Sequence, residues 1–558
     1  MSATSGRRFA SLIPRLMGFG MSKVGKQSAL GSPIPFLRYK KQLSRYRAFS
    51  TPSHNSDFVV PRGGALAQYP TKQMKYRVFL AVGSNLGNRF QNIAVALDLL
   101  CDPSFDESSY LDSRLVRTSF LYSTAPMYVT DQPEFMNGAV EIETNLEPYP
   151  LLLRLKKVEE HLGRDLVHGQ RNGPRPVDLD ILFYDENHFA EGTSGGPATH
   201  SHQTPIIVDD PDLIIPHPSM QERSFVMDPL KEVAGDTYVH PKLEKSVGDI
   251  WDKLKASSPD GDDAVQILPL QRDRAIAFHE TIVMGILNVT PDSFSDGGKW
   301  NNSVDIAVEH ALQMETEGAS IIDVGGESTR PGASEIDIQE QIQRTVPVIK
   351  MLRQKSDIPI SIDTRHADVA RAAIEAGADI VNDVSGGTFD KKMLETVAEL
   401  RVPMILMHMR GTPDSMQSMT KYENDDVCGV VADALIERSC AAETVGVHRW
   451  QQVLDPGIGF AKDNDGNLRL LKHTATSMRQ KLQGIPLLLG TSRKGFIGRI
   501  TGESEASERD FGSVASVVCA LSLGSHNPSD LGCNILRVHN VKGTKQATLV
   551  MDAISKVN

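Results

Sequence analysis

The chain reads as an α/β protein, a ferredoxin-like α+β domain followed by a (β/α)8 barrel, and three observations say so. Between residues 77 and 184 the apolar pattern runs strand, helix, strand, strand, helix, strand, the βαββαβ order of a split βαβ unit. From residue 282 onward, eight short and nearly continuous apolar runs alternate with helical stretches, as strands buried on both faces require. With 558 residues the chain exceeds one ordinary core, so two folded domains and an appendage suit its length.

The appendage comes first. Residues 1–56 hold ten of the 59 Lys and Arg and no Asp or Glu. From residue 57 onward the other 49 basic residues face 70 acidic ones, a net charge of −21. A basic, Ser-rich, acid-free start with apolar stretches among arginines fits an organellar transit peptide, with the mitochondrial matrix as first destination and the plastid as the alternative. An acidic body is a poor nucleic-acid binder, because that affinity comes from cations meeting phosphates. No apolar run is long enough to span a bilayer. The five cysteines form no CxxC pair and no zinc spacing, which points to buried thiols in a reducing compartment.

Residues 57–75 are expected as a linker and 76–255 as the first domain. Strands are expected at 77–83, 114–122, 137–143 and 177–184, and helices at 91–100 and 150–162. Residues 186–203, rich in Gly, Ser, Thr and His, read as a surface insertion. Residues 256–274, opening Ala-Ser-Ser-Pro-Asp-Gly-Asp-Asp, read as a second linker, and 275–558 as the barrel. The barrel strands are expected at 282–289, 320–324, 359–362, 379–382, 403–407, 452–454, 486–489 and 533–538. A doubly wound open sheet is the alternative, but its glycine-rich nucleotide fingerprint is missing after the first strand.

Barrel chemistry sits at the C-terminal ends of the strands. Those ends carry, in order, Asn288, Asp323, Asp363, Asn382, Met407, Asp455, Lys494, and Arg537 with His539. One polar residue at a strand end is ordinary; a polar or soft side chain at every end is not expected of an inert scaffold. Asp363, Asn382 and Asp455 suit a flat heterocycle with adjacent N–H donors and ring acceptors, and Lys494 suits a carbonyl oxygen of the same ring. Asn288, Arg537 and His539 come from the first and last strands, which are neighbours in a closed barrel. They offer an amide oxygen for Mg2+ and cations for phosphate.

Ile322-Asp323-Val324-Gly325-Gly326-Glu327-Ser328-Thr329-Arg330-Pro331-Gly332 and Met284–Gly298 resemble the two signature segments of dihydropteroate synthase. Ser361-Ile362-Asp363-Thr364, Val381-Asn382-Asp383, Leu406-Met407-His408-Met409, Asp455-Pro456-Gly457-Ile458-Gly459-Phe460 and Ser492-Arg493-Lys494 extend the resemblance over about residues 275–555. It implies pterin recognition by Asp363, Asn382, Asp455 and Lys494, with Met407 packing on the ring. It implies one Mg2+ at Asn288, and diphosphate binding by Thr329, Arg537 and His539. It further implies a p-aminobenzoate site of Arg330, Pro331, Phe460 and Ser492, and pairing of barrels into a homo-oligomer. Asp455, Lys494, Arg537 and His539 are the catalytic candidates. Two departures are Ala461, where Gly is usual, and Asn540 after His539, where Asp is common.

In the first domain Asp178 and Asp180 lie two apart on a strand, so both carboxylates face one side. Alone, an Asp-x-Asp pair is more often structural. Arg164, Arg171 and Arg175 change that balance, because cations beside two acids can hold Mg2+ and a polyphosphate together. No Walker A sequence is present.

Gly83-Ser84-Asn85-Leu86-Gly87, Tyr122-Ser123-Thr124-Ala125-Pro126, Asp131–Asn137 and Arg171–Ile181 resemble 6-hydroxymethyl-7,8-dihydropterin pyrophosphokinase over about residues 76–235. The resemblance implies two Mg2+ ions on Asp178 and Asp180, bridging ATP and the substrate hydroxyl, with Arg164 and Arg175 as further catalytic candidates. ATP would meet Glu159, Arg164, Arg175, His217 and Arg223. Thr124, Met127, Phe135, Asn137 and Phe225 would hold the pterin. Many relatives carry Trp where this chain has Asn172.

Joined, the two resemblances imply a bifunctional transferase of folate synthesis of the plant mitochondrial type. ATP diphosphorylates the pterin alcohol and releases AMP; p-aminobenzoate then displaces the diphosphate to give 7,8-dihydropteroate. Rival readings are a methyltetrahydrofolate-type methyltransferase barrel, a catalytically impaired pterin-binding scaffold, and a nucleic-acid or structural role for the basic start. The first would lack the Ser-Thr-Arg-Pro-Gly loop, and the second would have lost Asp178, Asp180, Asn288, Lys494 or Arg537, all of which are present.

Overall fold

The computed structural model describes residues 73–105, 113–189, 200–257, 264–289, 300–327, 336–412, 415–522 and 533–555. Residues 1–56, the loop 292–298, and Thr329, Arg330 and Pro331 lie outside the described residues.

The first domain contains β1 (Tyr76–Ser84), β2 (Ser113–Thr118), β3 (Leu121–Thr124), β4 (Phe135–Thr144), β5 (Asp178–Phe189), β6 (His200–Pro205), β7 (Val208–Asp210) and β8 (Leu213–Ile215). Its main sheet runs β3, β4, β1, β5, β6, with β2 also on β4, and each of these pairings is antiparallel. This is the expected split βαβ order. The strand expected at 114–122 is bent in two, with Ser119 N–H still donating to Ala139 O at 2.8 Å so that both halves follow β4. The helices Arg89–Cys101 and Pro148–His161 cover one face through Phe90, Ile93, Leu97, Leu151, Leu155 and Val158. Ser224–Ala234 and Val247–Ser257 cover the other, against Phe79, Leu182 and Phe183. The insertion expected at 186–203 is partly strand: β5 runs on to Phe189 and pairs with β6.

After the two-residue strands β9 (Val239–His240) and β10 (Lys245–Ser246) come β11 (Val265–Leu270) and β12 (Arg274–Ala277). β11 lies inside the stretch 256–274 that reads as a linker by composition, and β12 begins at its last residue. β11 pairs with β3 through Ile267↔Leu121 and extends the first domain's sheet, while β12 pairs back on β11. The polar turn Gln271-Arg272-Asp273 hid the hairpin from a compositional reading; Arg272 and Asp273 take φ of 62° and 54° there.

The barrel strands are β13 (Ile282–Asn288), β14 (Ile321–Gly325), β15 (Ile360–Asp363), β16 (Ile380–Asp383), β17 (Met404–Met407), β18 (Gln452–Asp455), β19 (Leu488–Leu489) and β20 (Ile535–Val538). β13 to β18 pair in sequence, β20 returns to β13, and β19 pairs with β20, all parallel. A parallel bridge between Leu454 and Leu487 closes the ring. The lower interior is packed by Met284, Ile321, Ile380, Ile405, Val453, Leu488 and Ile535, and the β11–β12 hairpin plugs it with Leu268, Leu270 and Ile276. That plug leaves the C-terminal rim as the functional end.

Of the five cysteines, Cys533 is buried, and burial pushes its thiol up to about 12. Cys440 and Cys519 are exposed, so the expectation of buried thiols fails for them: both lie on outer barrel helices.

Candidate active sites

One cavity lies over the end of β1 and β5, lined by Gly83, Thr124, Met127, Tyr128, Phe135, Asn137, Asn172, Arg175, Asp178, Asp180, His217, Arg223 and Phe225 among others. Strand register explains why the acids meet the pterin candidates. Asp178 stands opposite Gly83 and Asp180 opposite Ala81, while Gly83 stands opposite Asn137 on its other side. A Cβ on Gly83 would fall 2.6 Å from Asn137 Oδ1, so only glycine leaves that amide its place. Asn137 Nδ2 donates to Thr124 Oγ1 at 2.8 Å, which fixes the orientation of the amide.

Arg175 Nη1 reaches Asp178 Oδ2 at 2.8 Å, and Arg164 bonds Asp178 Oδ1. Burial alone would raise the Asp178 carboxyl; the Arg164 and Arg175 guanidiniums overcome it and hold the group at about 2. His217 is lowered from its usual range by burial, against the pull of Asp180. Arg223 lies 5.8 Å from the Tyr128 ring and 5.9 Å from the Phe225 ring, and its buried Nε makes no hydrogen bond.

Glu159, an expected ATP contact, is held inside the domain. Rather than facing the cavity, it is fully buried on the inner face of the helix Pro148–His161. Its Oε1 accepts from Leu179 N at 2.9 Å and lies 2.8 Å from Arg164 Nη1. Helical spacing puts Glu159 on the same face as Leu151, Leu155 and Val158, where it holds Arg164 and the start of β5.

Reasoning from sequence left Asn85, Gln132 and Tyr128 without roles. Asn85 Oδ1 accepts from Arg175 N at 2.8 Å, its Nδ2 donates to Gln132 Oε1 at 3.1 Å, and Gln132 Nε2 donates to Asn172 O at 3.0 Å. The turn after β1 therefore ties both flanking loops. The side-chain amides within the quoted motifs were the available signal.

In the barrel, register places Asn288 beside Gly325, Gly325 beside Asp363, and Asp363 beside Asn382 at one level of the rim. Met407 stands beside Asp455 on the far side. Arg537 Nε donates to Asp323 Oδ2 and Nη2 to Asp363 Oδ2, both at 2.6 Å. Asn382 Nδ2 donates to the same Asp323 oxygen at 3.1 Å, which leaves Asp323 as the hub of the bowl. Asp323 was noted at a strand end but given no part. Burial raises the Asp363 carboxyl to about 7, although Arg537 pulls it down.

Lys494 donates to Ile458 O and lies 4.6 Å from the centre of the Phe460 ring. Burial lowers its ammonium to about 8 while Asp455 opposes the shift. Asp455 accepts from Gly457 N at 2.7 Å and is raised by burial against Lys494. Phe460 shares an apolar cluster with Met407, Met409 and Met416. Ser492 Oγ lies 3.0 Å from His539 Nδ1 and accepts its backbone N–H at 3.1 Å, joining the expected p-aminobenzoate and diphosphate positions. Ala461, where glycine is usual, is held at φ 51°, a conformation glycine adopts without cost. Asn288, Asp323, Asp363, Asn382, Met407, Asp455, Lys494 and His539 thus gather at one rim.

The donor sets fit Mg2+ better than a transition metal. Among the described residues no group of three or more His, Cys, Asp or Glu is disposed to hold an ion. Two carboxylates in the first site and an amide oxygen in the second need oxygens from a phosphorylated substrate and water to complete a shell, as Mg2+ does.

Residues 79–235 match the 7,8-dihydro-6-hydroxymethylpterin-pyrophosphokinase family and residues 284–539 match the pterin binding enzyme family. A folate synthesis bifunctional protein of Arabidopsis thaliana is 42% identical over 499 residues, covering 86% of this chain and 96% of its own. A second Arabidopsis relative, named as the mitochondrial folate synthesis bifunctional protein, is also 42% identical over 499 residues, covering 86% of this chain and 83% of its own. The dihydropteroate synthase of Escherichia coli is 44% identical over 271 residues, 49% of this chain and 90% of its own. With both catalytic domains matched in one polypeptide, the chain belongs to the bifunctional folate-synthesis proteins, joining a hydroxymethylpterin pyrophosphokinase to a dihydropteroate synthase.

Proposed function

We propose that the two sites perform consecutive steps with the residue roles set out here. The observation that carries the reading is the pairing of an Asp178–Asp180 face with an aromatic-lined cavity in one domain and the Asp323–Arg537–Asp363 bowl in the other.

In the first site, Phe135 and Phe225 flank the pterin while the Asn137 amide and Thr124 meet its edge, with Met127 beside them. The substrate hydroxyl oxygen attacks the β-phosphorus of ATP; the O–P bond forms as the bond to AMP breaks, and the hydroxyl proton is lost to solvent. Arg164, Arg175, Arg223 and His217 line the phosphate path, and their donors offset charge as it moves onto AMP. Asp178 and Asp180 would hold two Mg2+, which neutralise the triphosphate when bound. Asp178 is already ionised far below neutral pH, so that carboxylate needs no proton loss to accept a cation.

In the second site, Asp363, Asn382, Asp455 and Lys494 meet the pterin edge and Met407 packs on its face. Asn288 would hold a Mg2+ that screens the diphosphate when bound. Arg537, His539 and Thr329 receive the leaving diphosphate as the C–O bond breaks, and carboxylates at the ring edge favour positive charge on the pterin. The aniline nitrogen of p-aminobenzoate, held by Phe460, Ser492, Arg330 and Pro331, forms the new C–N bond and then loses its proton. No nucleophilic side chain is required.

Residues 1–56 would direct the chain to the mitochondrial matrix, with the plastid as the alternative, and the two catalytic domains would span 76–255 and 275–558. Two copies would pair through the barrel, where Phe511, Leu549, Val550 and Ile554 leave apolar side chains on the last helices 92%, 52%, 59% and 62% exposed. The test supplies the purified chain with ATP, Mg2+, 6-hydroxymethyl-7,8-dihydropterin and labelled p-aminobenzoate. Labelled dihydropteroate formed with one AMP per product is the expected result; AMP release without labelled product, or neither, defeats the reading.

A further inference from the structure

Tyr128 is an aromatic side chain lining the first cavity that the assigned roles leave unused. It lines the cavity yet remains 65% exposed. Its backbone takes φ 68°, and Val129 N donates to Met127 O at 2.8 Å across it. That is the strained, rare form of the three-residue γ-turn, with an aromatic residue at the centre where glycine would sit without cost. Strain of this kind persists only where the surroundings over-determine it, and it concentrates at functional sites.

The surroundings do over-determine it. Gln132 Nε2 donates to Val129 O at 2.7 Å and to Asn172 O at 3.0 Å, so one amide clamps the turn to the loop across the mouth. Asn172 brings no ring to that loop. The Tyr128 and Phe225 rings both lie against the Arg223 guanidinium, with the Tyr128 hydroxyl 3.5 Å from its Nη2. The turn thus holds a ring at the cavity mouth, beside the cation expected to meet phosphate, with most of its surface still open to a ligand.

We infer that Tyr128 is a substrate-binding residue of the first reaction: its ring covers the bound pterin at the cavity mouth, on the side where residue 172 offers only an amide. The inference rests on the pterin reading of this cavity. The γ-turn is the cost of aiming that ring.

The full chain is assayed for AMP release with the pterin alcohol and ATP varied separately. Tyr128→Gly removes the ring and suits the turn; its KM for the pterin alcohol rises about tenfold, as loss of one stacked ring implies, and its KM for ATP stays within about twofold. The thermal midpoint does not fall, because strain is relieved. Tyr128→Phe brings the pterin KM back toward the native value. An unchanged pterin KM in Tyr128→Gly overturns the inference, as does a larger change for ATP. A lowered midpoint in Tyr128→Gly would mark the residue as structural and equally overturn it. Failure of the native chain to release AMP would instead defeat the underlying reading of the site.

Discussion

Arg537 Nε and Asp323 Oδ2 meet at 2.6 Å inside the barrel, although 214 residues separate them in the chain. The Asp323 side chain has no exposure, and its other oxygen, Oδ1, makes no hydrogen bond. A buried carboxylate with one oxygen spare is costly, and its Arg537 partner is the main compensation. The pair therefore sets where the guanidinium can reach.

Asp323→Asn should test that dependence. Removing one partner of a buried, hydrogen-bonded charge pair costs about 2–5 kcal/mol, so dihydropteroate formation from the diphosphate ester should fall at least about thirtyfold. AMP release by the first domain should stay within about twofold. Near-native synthase activity in this variant would remove Asp323 from the machinery.

The second reaction should show a narrow bell in pH. Asp363 gains a proton, and ceases to be an anionic acceptor, below about 7. Lys494 loses its proton, and its charge, above about 8. The profile of kcat/KM reports the free enzyme, and the two limbs belong to the coupled cluster as a whole. Lys494→Arg keeps a cation at all accessible pH, so whatever activity remains should lose the alkaline limb. A limb that persists near pH 8 in that variant assigns it to another group. Lys494 also titrates lower in the fold than its ordinary 10.5, so the unfolded chain binds more protons between about 8 and 10.5 and stability from this residue rises with pH across that window.

The two chemistries should be separable by point substitution. Asp180→Ala should abolish AMP release while leaving synthesis from the diphosphate ester nearly intact. Lys494→Ala should do the reverse. Loss of both activities in either variant would contradict two independent sites.

What the sequence made legible follows from where the information sits. Period-two and continuous apolar runs are local, and they located all eight barrel strands and the βαββαβ core to within a few residues. Strand-end residues such as Asn288, Asp363 and Asp455 were legible because a closed parallel ring forces C-terminal ends to one rim. The burial of Glu159 was not legible, because burial depends on which helical face meets the sheet, and a motif position does not reveal that. Tyr128 was passed over because nothing in the letters Pro-Met-Tyr-Val marks a left-handed backbone. Strand β11 was not legible within the expected linker because its pairing partners, β3 and the barrel floor, are distant in sequence.

The β11–β12 hairpin leads to a last expectation, that the catalytic domains unfold together. β11 completes the edge of the first domain's sheet at β3, the strand that ends in Thr124, while its Leu268 and Leu270 plug the barrel. Cores are exchanged as well. Trp450, just before barrel strand β18, is 1% exposed within the first domain's apolar core, and Phe120, between β2 and β3, is 4% exposed within the barrel's. Arg89 Nε holds Asp273 of the hairpin turn at 2.9 Å, and Arg401 pairs with Asp98. Surface ion pairs of this kind contribute little, so the buried rings and the shared strand carry the coupling. Heating the native chain should therefore abolish both activities in a single transition. Trp450→Ala leaves a large cavity, costing about 3–5 kcal/mol, and should lower the midpoint of both activities together. Loss of the two activities at well-separated temperatures in the native chain would show that the shared strand joins the domains without coupling their stability.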